Sequence, residues 1–520
     1  MSQINVSHLS FAYEGSYDDI FTDVSFQLDT DWKLGFCGRN GRGKTTFLKL
    51  LMKQYEHRGT ITASVRFEYF PYAVADPELD TLDVIAAIAA DAPLWRVQKE
   101  LSLLAVAGDA LYRPFSTLSN GERTKVLLAG LFLRENHFLL IDEPTNHLDI
   151  AARRAVAGYL NGKSGFILVS HDRAFLDDCV DHILSINKAN IEVQSGNFSS
   201  WWHNKQLQDE YELAENERLK KDISRLESAA RRTAAWADKA ERRKVGIDPN
   251  KVDSKFGYAP KQAAKAKKMM ARSKAIQDRQ QGSIEEKSKL LQNMEAAEPL
   301  KLRPLVYHAN RLLTVDKASV AFEGREIFGG MSFTLERFDR LALIGGNGCG
   351  KSSLLKLICG GAIPHGGTVA PGSQLVISYV PQDASSLTGN LDDYAADNRI
   401  DGTLFKTMLR KLDFSRAQFD KDMRDYSAGQ KKKVLLARSL CEQAHLYIWD
   451  EPLNYIDVLS RIQIEDLILA YRPTLIFVEH DRAFCDRIAT KTIMTKKLRS
   501  KKKRQRWSMH LFGKHSHLSS

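Results

Sequence analysis

One string of residues occurs twice in this chain, and the rest of the sequence is organised around that duplication. The first copy reads Gly38-Arg-Asn-Gly-Arg-Gly-Lys-Thr45 and the second Gly345-Gly-Asn-Gly-Cys-Gly-Lys-Ser352. Lys44 to Lys351 is a shift of 307, Ser119 to Ser427 and Asp142 to Asp450 are shifts of 308, and His171 to His480 is 309. Four motifs that keep one offset to within two residues mark a duplicated domain. Residues 1–198 and 304–498 are expected to be the two copies, with 199–303 between them and a basic, then unpatterned, tail at 499–520.

Each Gly-x-x-x-x-Gly-Lys-[Ser/Thr] string follows an apolar strand-like run, Leu34–Cys37 or Leu341–Ile344, and precedes a helix-like one, Phe47–Leu51 or Leu354–Ile358. That strand–loop–helix context is what a phosphate-binding loop requires. Glycines at 38, 41, 43, 345, 348 and 350, with Asn40 and Asn347, let backbone N–H groups wrap phosphates at a helix start that favours negative charge. Lys44 and Lys351 are placed to reach the β- and γ-phosphates. Thr45 and Ser352 are placed to hold Mg²⁺, with Thr46 and Ser353 following them in the loop. Downstream, the apolar runs from Phe138 and Leu446 each end in two acids. Asp142 and Asp450 suit Mg²⁺, and Glu143 and Glu451 suit polarisation of an attacking water. The chain is therefore expected to hydrolyse ATP at two sites with Mg²⁺ as cofactor. The fold class is α/β, two phosphate-loop domains in tandem.

Composition narrows the setting. The longest apolar runs are far short of the roughly 18 residues a membrane helix needs, and the N-terminus lacks the charged-then-apolar layout of a secretion leader. The six cysteines are scattered without a Cys-x-x-Cys pair, which argues against a zinc ribbon or disulfide framework and fits a reducing cytoplasm.

Between each phosphate loop and its acid pair lies a further string, Leu118-Ser-Asn-Gly-Glu122 and Tyr426-Ser-Ala-Gly-Gln430. With it the order of motifs resembles the ATP-binding cassette superfamily. The resemblance implies that Ser119 and Gly121 complete the site of Lys351, that Ser427 and Gly429 complete the site of Lys44, and that the cassettes pair within the chain without an obligate second subunit. It also implies crossing aspartates at Asp149 and Asp457, switch histidines at His171 and His480, and a metal-linked glutamine at Gln382. The first copy has Tyr72 where that glutamine is expected, which points to unequal sites. Tyr13 and Phe322 are candidates to stack on adenine, and core packing accounts for them nearly as well.

The segment between the copies has another character. From about Asn204 to Lys244 it is charged, with Leu207, Tyr211, Leu219, Ile223 and Leu226 at helical spacing; a breaker-rich turn spans 246–260; a second helical run extends to about Ala297. This is expected to be an antiparallel helical hairpin. Between Arg231 and Arg279 there are 15 Lys/Arg against 5 Asp/Glu, an excess suited to RNA phosphates, within a net charge of +11. Lys255, Phe256 and Tyr258 at the turn are candidate contacts, the aromatics by stacking. Two cassettes on one chain, no membrane run and a long basic hairpin resemble the ABC-F family. The wording of Asp142–Asp149, Val169–Phe175 and Asp450–Asp457 is similar to its branch that protects ribosomes from lincosamides, streptogramin A and pleuromutilins. That resemblance implies the ribosome as partner, through large-subunit RNA and exit-site tRNA. An ABC-F translation factor without a resistance role, or the ATPase subunit of a transporter with separate membrane subunits, are the alternatives.

Overall fold

The computed structural model describes residues 3–13, 19–146, 148–187, 190–245, 300–322, 325–346, 348–414 and 416–495, together with helical residues 274 and 279. The chain divides into two compact units, Met1–Trp201 with Ala297–Ser520, and Trp202–Ala296.

In the first unit both repeats build a sheet of parallel strands. The first orders its strands Arg66–Phe70, His137–Asp142, Phe166–Val169, Lys33–Cys37 and His182–Asn187, all parallel, with Asn190–Ser195 added antiparallel at the edge. The second orders Ile377–Val380, Leu446–Asp450, Leu475–Val478, Arg340–Ile344 and Lys491–Met494 in the same way, all parallel. The apolar runs explain this: a strand covered on both faces reads as continuous hydrophobics rather than alternation, and Phe166–Val169 and Leu475–Val478 are buried at every position. An antiparallel three-stranded sheet packs beside each, Phe21–Asp29, Gln3–Phe11 and Arg58–Ala63 in the first repeat, and Arg325–Glu336, Arg311–Phe322 and His365–Pro371 in the second. Phe36, Phe138 and Ile167 meet Phe47, Leu48 and Phe21 between the layers; Leu343, Ile448 and Ile476 meet Leu354, Leu355 and Phe328 in the copy. On the other face of the second repeat's parallel sheet, Tyr447, Trp449 and Phe477 pack against Phe405, Met408, Val434 and Leu436 of the helices Gly402–Lys411 and Ala428–Cys441.

The consequence for function is positional. The parallel strands all deliver their C-terminal ends, with Cys37, Asp142 and Val169 or their copies, to one edge of the sheet, where ligands of open α/β sheets bind.

The helix Phe198–Val245 begins in the last residues before the second unit and continues into it, for 48 residues in all, about 72 Å at 1.5 Å per residue. It starts earlier than the charged pattern that begins near Asn204, because its first turn carries Phe198 and Trp201, which are buried and pack ring to ring at 5.4 Å. The turn at 246–260, with Lys255, Phe256 and Tyr258, lies outside the described residues, as do residues 499–520 and, apart from residues 274 and 279, the expected second arm.

Candidate active site

Each glycine loop leaves a parallel strand and enters an eight-residue helix, Lys44–Leu51 or Lys351–Ile358. The residue before each helix is glycine by necessity. Gly43 and Gly350 take φ of 92° and 91°, and a Cβ there would lie 2.5 Å from Ile20 Cγ2 or 2.6 Å from Phe328 Cδ1. Neither helix has a side-chain cap, so its first N–H groups point out of the loop, as a phosphate site requires. Both lysines are buried. Lys44 Nζ donates to Gly38 O at 2.6 Å and Arg39 O at 3.1 Å, and Lys351 Nζ to Gly345 O at 2.8 Å and Gly346 O at 3.2 Å. These carbonyls hold each ammonium over the loop it serves.

The acid pairs stand at the ends of the neighbouring strands. Thr45 Oγ1 and the hydroxyl of Tyr69 both donate to Asp142 Oδ2, at 2.9 and 2.8 Å. Glu143 and Glu451 both sit in left-handed backbone, φ 51° and 49°. A non-glycine residue there is strained, and strain of this kind collects at functional sites. His171 Nε2 lies 3.3 Å from Glu143 Oε1, and His480 Nε2 lies 3.4 Å from Glu451 Oε1.

The two glutamates differ in their surroundings. Glu451 Oε2 accepts from Gln382 Nε2 at 2.9 Å and from Asn454 Nδ2 at 2.7 Å. Burial raises its pKa, but His480 and these two amides outweigh burial and hold the carboxyl down to about 2. Glu143 has Oε1 buried without a hydrogen bond. Burial, and then the charge of Asp142, push it up to about 8 against the pull of Arg461 and Lys44. Burial, followed by Lys44 and Arg461, drives His171 well below its ordinary value, so the imidazole beside Glu143 is neutral.

Walls from both repeats enclose two cavities. One, of about 1120 Å³, brings Ser119, Gly121 and Asp149 of the first repeat to Lys351, Ser352, Gln382, Glu451 and His480 of the second. The other, of about 500 Å³, brings Ser427, Gly429 and Tyr455 of the second to Asn40, Gly41, Glu143 and His171 of the first. Ser119 and Ser427 cap the helices Asn120–Phe132 and Ala428–Cys441 in reciprocal capping boxes with Glu122 and Gln430, which fixes the start of each signature helix at the cavity wall. Asp457 crosses as well: burial opposes its ionisation, but Lys433 and then Lys44 of the other repeat pull its carboxyl down to about 2.

The profile of the ABC transporter family matches the chain twice, over residues 21–146 and 328–454. The chain is 27% identical over 497 residues to the ribosome protection protein VmlR of Bacillus subtilis, covering 93% of this chain and 85% of that one. It is 25% identical over 553 residues to ABC transporter F family member 2 of Arabidopsis thaliana, covering 95% and 76%. The chain belongs to the ABC-F family. Its fold is shared, at a TM-score of 0.59 and 17% identity over 97% of this chain and 92% of the other, with the archaeal ribosome recycling factor aABCE1 in its crystal structure with the stalk protein aP1. This ABC-F protein is an ATPase, and among its described residues no helix is long and apolar enough to cross a membrane.

Cassettes of this family work with Mg²⁺, and the donor set fits it. Both carboxylate oxygens of Asp450 are buried without a hydrogen bond of normal geometry, as is the hydroxyl of Tyr379, while Ser352 lies close enough to oppose the rise that burial causes in the Asp450 pKa. Hard oxygens left unpaired in this way suit a hard cation. Ser352 and Asp450, or Thr45 and Asp142, would hold the ion. Among the described residues no cluster of three or more acids, histidines or cysteines offers a full protein cage, so phosphate and water would complete the shell. When bound, the ion would offset the negative charge of the phosphates.

Several expected residues lie elsewhere or beyond description. Gln382 turns its amide to Glu451 rather than to Asp450. Tyr13 is 43% exposed at the phosphate-loop helix, its hydroxyl 2.7 Å from Thr46 Oγ1 and its ring edge-on to Phe11 and Tyr55. Asn347 and the side chain of Phe322 are outside the described residues. Tyr69 was missed by sequence reasoning, although its copy Tyr379, 310 residues on and so close to the repeat offset, gave a usable signal. Arg461 was missed too: it donates to Ile456 O at 2.9 Å, Leu453 O at 2.9 Å and Asp481 Oδ2 at 3.1 Å, bracing the loop that carries Asp457.

The signature glycines give a first test. A Cβ on Gly429 would lie 3.0 Å from Tyr455 O and 3.2 Å from Tyr455 Cβ, whereas one on Gly121 meets only Leu148 Cδ2 at 3.5 Å. In the Glu451→Gln background, where the site of Lys44 supplies the remaining turnover, Gly429→Ala is expected to slow ATP hydrolysis by about tenfold, the effect of roughly 1.4 kcal/mol at a crowded site. In the otherwise unaltered protein Gly121→Ala should change the rate less than about twofold. Steady-state phosphate release checks both.

Proposed function

We propose that this ATPase acts on the ribosome as a ribosomal protection factor. The observation that carries the reading is the alignment with a ribosome protection protein across 93% of the chain. The charge of the inter-cassette segment supports it: an excess of ten basic residues between Arg231 and Arg279 suits a surface of RNA phosphates. On this reading the segment 199–303 is a hairpin whose first arm is the helix Phe198–Val245, and Lys255, Phe256 and Tyr258 at its turn meet ribosomal RNA, exit-site tRNA or the drug pocket. Each ATP lies between a phosphate loop and the opposite signature, so binding of two ATPs draws the cassettes together. In that closed state the hairpin enters the ribosome and displaces lincosamides, streptogramin A or pleuromutilins. Hydrolysis assisted by Glu143 and Glu451 then releases the protein.

The Glu143→Gln/Glu451→Gln variant, supplied with ATP, is expected to sediment with ribosomes and to dissociate progressively as salt is raised, since phosphate contacts give way to counterions. With ADP it should stay in the supernatant. Protein that binds ATP but never travels with ribosomes would sink the reading and direct the search to a membrane partner. Ribosome binding with unchanged tolerance of those drugs in an expressing strain would favour a translation factor without a resistance role.

A further inference from the structure

The two cavities differ where the repeat itself differs. Arg39, second residue of its glycine loop, corresponds to Gly346. Asp413, which follows the C-cap of the helix Gly402–Lys411, corresponds to Ala105, and both of those positions take left-handed backbone, φ 60° and 51°. At the smaller cavity Arg39 Nη1 donates to Asp413 Oδ1, with side chains only 10% and 23% exposed. Beside this pair, Asn40 Nδ2 donates to Tyr455 O at 2.8 Å. The loop that carries Lys44 is therefore tied to the opposite cassette by an ion pair and a hydrogen bond. At the larger cavity Gly346 and Ala105 both line the wall and offer no side chain to make that pair. A second crossing follows the same rule: Arg173 pairs with the fully buried Glu465, whose counterpart in the first cassette is Ala157, while Arg482, the counterpart of Arg173, pairs instead with Asp486 on its own helix.

We propose that Arg39 and Asp413 are positioning residues that latch the Lys44 site shut, so that nucleotide is retained there while the Lys351 site exchanges it. The inference rests on reading the two cavities as ATP sites and adds an order to them. Opening the smaller site requires a partly buried ion pair to separate, and losses of such pairs appear mainly in dissociation rates. Opening the larger site has no such requirement at the equivalent positions. The latch lies on the phosphate loop itself, so it acts on residence of the nucleotide rather than on the attacking water.

The test follows release of a fluorescent ATP analogue from full-length Glu143→Gln/Glu451→Gln protein, preloaded with Mg²⁺ and chased with unlabelled ATP. Two phases of similar amplitude are expected. Asp413→Ala should speed the slow phase by about tenfold and leave the fast phase in place. The charge swap Arg39→Asp/Asp413→Arg should restore slow release, and the transplant Gly346→Arg/Ala105→Asp should slow the fast phase. Gly346 accepts the change because a Cβ there meets only Asp149 Oδ2, at 3.7 Å. A single release phase, equal acceleration of both phases by Asp413→Ala, or failure of both the swap and the transplant would overturn the latch. Absence of bound nucleotide would overturn the ATP-site reading itself, which is a separate result.

Discussion

Glu451→Gln is expected to lower ATP turnover at pH 7 by at least about 10², the scale of a lost general base, whereas Glu143→Gln at the same pH should cost less than about threefold. The two residues occupy equivalent places in the repeat, so the difference must come from their neighbours. A glutamate must be ionised to take a proton from water. The amides of Gln382 and Asn454, with His480, hold Glu451 down to about 2, so it is ionised throughout the working range. Glu143 has Tyr72 where the glutamine would stand, and burial with the charge of Asp142 pushes it up to about 8. At pH 7 Glu143 is therefore mostly protonated, and at pH 9 mostly ionised. The residual activity of the Glu451→Gln variant should therefore climb about tenfold between pH 7 and pH 9. The Glu143→Gln variant should show no such rise. Phosphate release by both variants across that range checks this, and equal losses with flat profiles would refute it.

The parts of this arrangement that were legible in the sequence are those whose chemistry dictates residue type at fixed spacing. A phosphate loop needs its glycines before its lysine, and an acid pair needs an apolar strand behind it, so Lys44, Thr45, Asp142 and their copies could be read directly. Which signature faces which loop could not be read from spacing, and came only from resemblance. The unequal surroundings of the two glutamates were half visible, through Tyr72 against Gln382. The other half lies in Asn454, which donates to Glu451, while Asn146 at the equivalent place makes no such bond that the structure records. Long-range pairs left no trace at all. Arg39 and Asp413 are 374 residues apart, and neither a loop arginine nor an aspartate after a helix has a pattern that announces its partner. The early start of the helix Phe198–Val245 was hidden for a related reason, since Phe198 and Trp201 belong to buried packing and break the polar periodicity that marked the rest of the arm.

The same non-equivalence should appear in stability. Asp457 is fully buried; its Oδ1 and Oδ2 accept from Ser460 N and Ser460 Oγ, both at 2.9 Å, and Oδ2 lies 3.7 Å from Lys433 Nζ. Burial alone would raise its pKa, yet Lys433 and then Lys44 bring it from 3.8 to about 2. Its contribution is thus fully present above pH 4 and is lost only as pH falls through about 2. Asp149, its copy, is half-buried and caps its helix through Ala152 N at 2.9 Å. Asp149→Ala should remove little more than that cap, about 1 kcal/mol. Asp457→Ala removes the counter-charge from two buried lysines, a loss of about 3–5 kcal/mol. For a domain of this size each kcal/mol moves Tm by roughly 2–4 °C, so thermal unfolding near neutral pH should separate the variants by about 4 to 16 °C. Asp457→Asn sharpens the argument, because asparagine keeps an oxygen for the Ser460 cap and removes only the charge. If it unfolds near Asp457→Ala, the stabilisation is electrostatic, supplied by Lys433 and, from the other cassette, by Lys44. A wild-type Tm for Asp457→Asn would show that the cap alone mattered and that the buried charges of the Lys44 site balance without it.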